Sequence, residues 1–175
     1  MKRLLSILFF ASLAFEGCYA QKLFFEKEKS KKDGVSYYYK TDTGEKYCDV
    51  YMIGTTPDKF SGKLRRIVKD GKIGFIDKKG NIVIQPQYDM AEPFCKKYCM
   101  VNQGAQIETS SATDAYKEGN LQGGLWGVID KKGKTVIPCG FNKIWDNEQK
   151  QFIYHNGTKG FFLSPKGKII QTNHK

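Results

Sequence analysis

Short runs of β-branched and aromatic residues, separated by glycine-containing turns, recur along this chain. The stretch from residue 70 to residue 89 shows the pattern best, with such runs at 72–76 and 81–84. Between them lies D-K-K-G, which is typical of a type I turn closed by a left-handed glycine. Glycines at 71, 74 and 80 would each cost a helix about 1 kcal/mol. The pattern therefore predicts a β-hairpin.

The hairpin pattern returns in four copies. Each copy opens on a dipeptide that favours a tight turn, Asp33-Gly34, Asp70-Gly71, Gly123-Gly124 or Asn156-Gly157. A second turn closes nine or ten residues later, at Gly44, Gly80, Gly133 or Gly167. The strands predicted for the four copies are 35–40, 45–53 and 63–69; 72–76, 81–84 and 96–101; 125–129, 134–137 and 149–155; and 168–171. Such self-similarity indicates an all-β meander of antiparallel hairpins, stacked as about three and a half repeats.

Residues 1–20 have the features of a secretory signal peptide. A basic start at Lys2-Arg3 precedes an apolar run over 4–15, and small residues occupy Cys18 and Ala20. We expect cleavage after Ala20; the alternative is lipoprotein processing at Cys18. No later apolar segment is long enough to span a membrane. The expected location is therefore outside the cytoplasm: periplasmic, secreted or associated with the cell surface.

Three further segments flank or interrupt the repeats. Residues 21–33 are expected to form a charged N-terminal arm, in which the apolar patch 23–25 can add an edge strand. The polar insertion 105–122 is either a mobile loop or a binding loop. The repeat domain is thus predicted at 34–171, and 172–175 form a C-terminal tail.

The charge balance is strongly basic. The chain carries 29 Lys and Arg against 18 Asp and Glu, a formal net charge of +11. Removing two cations and one anion with the signal peptide leaves +10. In an exported protein this balance favours polyanionic partners such as anionic glycans, lipid head groups or cell-wall polymers. Nucleic acid is not expected, because export separates the protein from it.

Four cysteines, Cys48, Cys95, Cys99 and Cys139, follow the signal peptide. They either form disulfides that join repeats, with three possible connectivities, or pack as buried thiols. Cys95 and Cys99 cannot pair if they lie on one strand. Their Cα atoms would then be about 13 Å apart, against a limit of about 7 Å.

Motifs that carry chemistry are missing from the sequence. No Cys-x-x-Cys pair occurs and only two histidines are present, so neither a metal nor another cofactor is expected. Cys139 and His155 are residue types that form catalytic Cys–His pairs, but their presence together is a coincidence of composition. The sequence therefore predicts a protein without catalytic residues, and the alternative is an enzyme with a site near the 105–122 loop.

Two features are candidates for recognition. Lys63, Arg65, Arg66 and Lys69 form a basic cluster with Lys72 around one predicted strand. Alternation places Arg65 and Lys69 on one face and Arg66 on the other; the cluster is either an anion site or an edge strand kept soluble by charge. Trp145 follows a loop, where it either stacks on a sugar or packs in the core.

The third copy, L-W-G-V-I-D-K-K-G-K-T-V-I-P at 125–138, resembles the WG (KWG) repeat of bacterial proteins. The second copy is similar, and Phe60-Ser61-Gly62 resembles the step that precedes the next unit. The resemblance covers roughly 35–170, with degenerate first and fourth copies. It implies an interaction module, so we expect an exported, non-enzymatic binding module of the bacterial envelope, with an unknown protein or an envelope polyanion as its partner.

Overall fold

The structure is a computed structural model that describes residues 22–30, 34–107, 121–148 and 150–173. The signal peptide predicted at 1–20 lies outside these residues. The described residues form fifteen β-strands and no helix. In chain order the strands are β1 Phe24–Ser30, β2 Gly34–Lys40, β3 Lys46–Val50, β4 Met52–Ile53, β5 Thr56–Pro57, β6 Leu64–Lys69, β7 Lys72–Asp77, β8 Ile82–Tyr88, β9 Met90–Ala91, β10 Tyr98–Ile107, β11 Leu121–Asp130, β12 Thr135–Asp146, β13 Gln151–His155, β14 Lys159–Leu163 and β15 Ile169–Asn173.

The strands form an antiparallel meander. One sheet has the order β1-β2-β3-β6-β7-β8, and a second has the order β15-β14-β13-β12-β11-β10-β9. The short hairpin β4-β5 is inserted between β3 and β6. Neighbours in space are thus neighbours in sequence apart from this insertion. The prediction of stacked antiparallel hairpins is confirmed.

The two D-K-K-G turns have the same backbone geometry. Gly80 N donates to Asp77 O at 3.2 Å, and Gly133 N donates to Asp130 O at 3.0 Å. The two glycines have φ values of 86° and 82°, in the left-handed region that glycine adopts without strain. Asp77 Oδ1 also accepts from the backbone N–H of Lys79 at 2.8 Å, as an aspartate at this position of a turn can.

Copies two and three also share their register. Ile73 pairs with Tyr88 in copy two, and Trp126 pairs with Phe141 in copy three. Both residues of the second pair lie 53 positions after their counterparts (73 to 126, 88 to 141). In copy three β12 pairs first with β11 and then with β13, whereas in copy two β8 pairs with β7 and the separate strand β9 pairs with β10. Both β8 and β12 run further than the predicted segments 81–84 and 134–137.

The glycine of the W-G dipeptide has a packing role. A Cβ on Gly127 would lie 2.5 Å from Ile137 O, and one on Gly74 would lie 2.6 Å from Ile84 O. Cβ atoms in proteins do not approach a carbonyl oxygen this closely. The next strand can therefore pass over this position only because the residue is a glycine. This explains why a glycine stands at this position in both copies.

Three clusters of buried side chains follow one another along the array. Each draws residues from at least two copies, so a single copy could not bury its apolar face alone. In chain order the clusters include Val50, Ile67 and Ile76; Phe75, Ile84 and Val101; and Trp126, Val128 and Phe161.

The charged segment after residue 25 belongs to β1, so the edge strand expected from the apolar patch 23–25 continues through the charge run. β1 pairs with β2 from Phe24↔Lys40 to Ser30↔Gly34. Its side chains are mostly exposed, as an edge strand protected by charge requires, so its composition does not distinguish a strand from an arm. Leu23 anchors the segment: its side chain is 2% exposed and its N–H donates to Gly80 O at 2.8 Å.

The insertion is shorter than its predicted bounds of 105–122. Strands β10 and β11 continue pairing to Ile107↔Leu121, and residues 108–120 lie outside the described part of the chain. Gly123-Gly124 therefore does not form the predicted hairpin turn and lies within β11, with φ values of 74° and 66°. A Cβ on Gly124 would lie 2.2 Å from Asn102 Oδ1. At the other end, β15 reaches into the predicted tail as far as Asn173, and residues 174–175 lie outside the description.

Cys48, Cys95, Cys99 and Cys139 are free thiols in the structure. Residues 95–98 form a tight turn, in which Cys95 N donates to Tyr98 O at 2.8 Å and Lys96 has a φ of 58°. The strand predicted at 96–101 thus begins only at Tyr98. Cys95 and Cys99 do not lie on one strand, so the Cα separation expected for a strand does not exclude a disulfide between them. Burial raises the pKa of the Cys48 thiol to about 12 and that of Cys99 well above its usual value.

Candidate binding site at Arg65

The basic cluster predicted around β6 is divided among different environments. Lys63 precedes the strand, in a two-residue turn where it has a φ of 78°. Lys69 Nζ lies 3.6 Å from the centroid of the Tyr47 ring. Lys72 forms an ion pair with Asp89. These three lysines therefore do not converge on one site with the two arginines.

Arg66 points into the core. Its side chain forms an ion pair with Asp58, from Nε to Oδ2 at 2.9 Å and from Nη2 to Oδ1 at 3.0 Å. Nη1 donates to Ala91 O at 2.8 Å, and the guanidinium lies 4.1 Å from the centroid of Tyr51. With 6% of Arg66 exposed, this arginine is a structural residue that ties copy one to copy two. Nothing in the sequence near Asp58 indicated that pairing.

Arg65, the residue before Arg66, has a different environment. Its guanidinium carbon lies 4.4 Å from the ring centroid of Phe60 and 5.2 Å from that of Phe25. Nη1 donates to the hydroxyl of Tyr39 at a long 3.4 Å. The Nε atom is buried and has no hydrogen-bond partner among the described residues. A buried donor without an acceptor costs about 1–3 kcal/mol.

Arg65 lies in a cavity of about 690 Å³, which we call the Arg65 groove. That volume is within the range of small-molecule sites. Of the described side chains that line the groove, four are cationic and none is acidic. The lining consists of Lys22, Leu23, Phe24, Phe25, Tyr39, Phe60, Arg65, Lys78, Lys79, Gly80 and Asn81.

Three segments distant in sequence form the groove. The N-terminal segment supplies one wall because β1 pairs with β2 and Leu23 is anchored on Gly80. The D-K-K-G turn of copy two supplies Lys78 and Lys79. The remaining wall comes from Phe60 and from Arg65 on β6.

Two ionisable groups in or beside the groove have shifted pKa values. Burial raises the pKa of Tyr39, although the adjacent Arg65 opposes the shift, so the hydroxyl stays protonated. At Asp77, burial raises the pKa, but hydrogen bonds from Asn81 and Lys79 outweigh it and the pKa is lowered. This carboxylate is held by its own turn, at 2.9 Å from Asn81 N, and does not line the groove.

Trp145 lies on β12 and is 50% exposed. The alternative that it packs in the core was therefore wrong, whereas Trp126, at 7% exposed, does belong to the core. The Trp145 ring packs edge-on against Phe152, with centroids 5.0 Å apart. Trp145 does not line the Arg65 groove.

Sequence reasoning missed most of the groove. Lys78 and Lys79 were interpreted as turn residues, Phe60 as part of a repeat step, and Phe25 as part of an apolar patch. The turn predicted at Lys78 and Lys79 does form. No local signal indicated that they converge on Arg65.

The described residues offer few groups for catalysis. Among them, no three His, Cys, Asp or Glu side chains are close enough together to hold a metal ion. Burial raises the pKa of the Cys139 thiol, as it does for Cys48 and Cys99, which makes these thiols poor nucleophiles at neutral pH. No helix among the described residues is long and apolar enough to cross a membrane.

Comparison with known proteins identifies the repeat. The family model described as "WG containing repeat" matches residues 73–105 and 126–152. Searches of curated proteins and of solved structures found no match. The two matched segments fall in copies two and three, which share their register and the crossing over Gly74 and Gly127. Copies two and three are therefore WG repeats.

Proposed function

We propose that this protein is an exported, non-enzymatic binding module of the bacterial envelope and that it binds an anionic ligand in the Arg65 groove. The observation that carries the proposal is the partly buried guanidinium of Arg65, in a groove whose described lining has four cationic side chains and no carboxylate. A cation partly removed from water binds an anion more strongly than an exposed one, because water competes less.

The repeat array supports a binding role. It presents the groove on paired strands, and a rigid scaffold lowers the entropic cost of binding. The enzyme alternative, with a site near 105–122, has no contact in its favour among the described residues.

The groove can be tested with a polyanion at two salt concentrations. We expect dextran sulfate to bind at low salt and to bind several-fold more weakly at 200 mM salt, because ions screen charges across a few ångströms of water. Isothermal titration calorimetry measures the affinity.

A pair of variants separates the groove from overall charge. Arg65→Gln and Lys159→Gln each remove one positive charge, but Lys159 does not line the groove. We expect a clear loss of affinity only for Arg65→Gln. Equal losses in both variants, or binding that does not change with salt, would contradict a site at Arg65.

The proposed export has its own test. Cell fractionation followed by mass spectrometry of the mature N-terminus is expected to find the protein outside the cytoplasm and beginning at Gln21. If the mature chain begins at a lipid-modified Cys18, the lipoprotein alternative is correct instead of cleavage after Ala20. An intact chain in the cytoplasm would refute export.

A further inference from the structure

Two neighbouring arginines suggest which anion the groove takes. Arg66 holds the carboxylate of Asp58 with the edge of its guanidinium, using Nε and Nη2. On Arg65 the Nε is buried, so a ligand cannot reach the edge that Arg66 uses. Nη1 of Arg65 donates to Tyr39, and Nη2 has no hydrogen-bond partner among the described residues. The end of the guanidinium that carries Nη1 and Nη2 is therefore the part of Arg65 that a carboxylate can approach.

Two aromatic rings lie beside the guanidinium of Arg65. The centroids of Phe25 and Phe60 are 5.2 and 4.4 Å from its central carbon. A planar carboxylate that enters in the plane of the guanidinium can accept two parallel hydrogen bonds. That geometry cannot be reproduced by a lysine, which binds as a point charge.

The rest of the groove suits a saturated ring that carries hydroxyl groups. Phe24 and Phe25 are 42% and 46% exposed, which leaves apolar ring surface for the C–H groups of a sugar. Lys22, Lys78 and Lys79 also line the groove, where they can donate to hydroxyl groups or to further carboxylates of a polymer.

From these features we propose that the Arg65 groove binds an acidic sugar, a saturated ring bearing a carboxylate, with that carboxylate on the Nη1 and Nη2 atoms of Arg65. The inference rests on the anion-binding role proposed above and narrows it to one class of ligand.

The N-terminal segment completes this site. It contributes Lys22 and Phe25, and its anchor is the close approach of Leu23 to Gly80, where a Cβ would lie 1.9 Å from Leu23 O. Gly80→Ala should therefore open the wall of the groove. Gly133→Ala is the matched control, since Gly133 has nearly the same φ but a Cβ there would first meet the Ile84 side chain, at 3.3 Å.

The test compares four probes by isothermal titration calorimetry at one salt concentration. They are oligogalacturonate, its methyl ester, dextran sulfate and vesicles of phosphatidylglycerol. We expect oligogalacturonate to bind and the methyl ester to bind at least about tenfold more weakly, the scale of one lost charge-assisted hydrogen-bond pair.

Substitution at Arg65 tests the geometry as well as the charge. Arg65→Lys keeps the charge but removes the planar edge, so we expect oligogalacturonate to bind about tenfold more weakly, while dextran sulfate changes less. Thermal melting checks that the variant is folded. Gly80→Ala is expected to weaken oligogalacturonate binding, and Gly133→Ala to leave it near the wild-type value.

Distinct outcomes overturn the two proposals. If dextran sulfate or the vesicles bind and oligogalacturonate does not, the groove binds anions but the acidic-sugar inference fails. The same inference fails if the methyl ester binds as well as the acid, or if Arg65→Lys binds like the wild type. If none of the four probes binds, both the inference and the proposed anion-binding function fail.

Discussion

In copy two the D-K-K-G turn receives the N-terminal segment, whereas in copy three the same turn packs against a side chain. A Cβ on Gly80 would meet the backbone of Leu23, and one on Gly133 would meet Ile84 Cγ1 at 3.3 Å. The turns themselves match in hydrogen bonds and in φ. The repeat thus fixes the backbone, and the neighbours of each copy decide whether a groove forms beside its turn.

The largest effect is expected where the two copies are the same. Gly74→Ala and Gly127→Ala each place a methyl group against a carbonyl of the next strand, at 2.6 and 2.5 Å. Backbone must move, so we expect each variant to lose about 3 kcal/mol of unfolding free energy in urea denaturation. Gly140→Ala is the control, because its nearest atom is 3.9 Å away. A loss in Gly140→Ala as large as in the other two would show that the crossing is not the cause.

A smaller effect is expected where the copies differ. Gly80→Ala and Gly133→Ala both place alanine at positive φ, which costs about 1–2 kcal/mol. Gly80→Ala also displaces Leu23, so it should lose about 1 kcal/mol more. Hydrogen exchange of the Leu23 amide should be faster in Gly80→Ala and unchanged in Gly133→Ala. Equal stability and equal exchange in the two variants would mean that the N-terminal segment is not anchored at this turn.

The smallest difference is expected at the aspartates of the turns. Asp77 and Asp130 each accept two backbone N–H bonds, and Asp77 accepts a third bond, from Asn81 Nδ2 at 2.9 Å. We expect Asp130→Ala to lose about 1 kcal/mol at pH 7 and Asp77→Ala slightly more. Urea denaturation measures both. A larger loss for Asp130→Ala would contradict the assignment of the extra bond.

The lowered pKa of Asp77 predicts the pH dependence of its contribution. Its ordinary value is 3.8, and the folded value lies below it. The carboxylate therefore stabilises the folded state fully above the ordinary value, and this stabilisation is lost as the pH falls through the lowered folded value. The stability difference between wild type and Asp77→Ala should be constant near neutral pH and shrink in acid below 3.8. A difference that stays constant throughout that acid range would refute the shift.

Features encoded within four or five residues were predictable. D-K-K-G fixes its turn because the aspartate side chain and the glycine both act within the turn itself. Gly123-Gly124 shows the limit of the same rule. Two glycines permit positive φ but do not require a hairpin turn, and the pairing of β10 with β11 placed them inside a strand.

The candidate site was predictable only in part. Arg65 was singled out together with Arg66, since the two are equivalent in charge and lie on one strand. Their environments differ because Asp58 forms an ion pair with Arg66, whereas Phe25 and Phe60 lie beside Arg65. Those partners are set by which segments stack together, and a charge pattern along one strand carries no information on that.

By itself, the sequence determined the D-K-K-G turns, the repeating strands and the antiparallel order, because each depends on interactions between close neighbours along the chain. Only the tertiary structure decided that the charge run 26–30 continues strand β1, that Leu23 is anchored on Gly80, and that the Nε of Arg65 has no partner among the described residues. The physical reason is that these contacts join segments tens of residues apart, and their energies exist only once the copies have packed against one another.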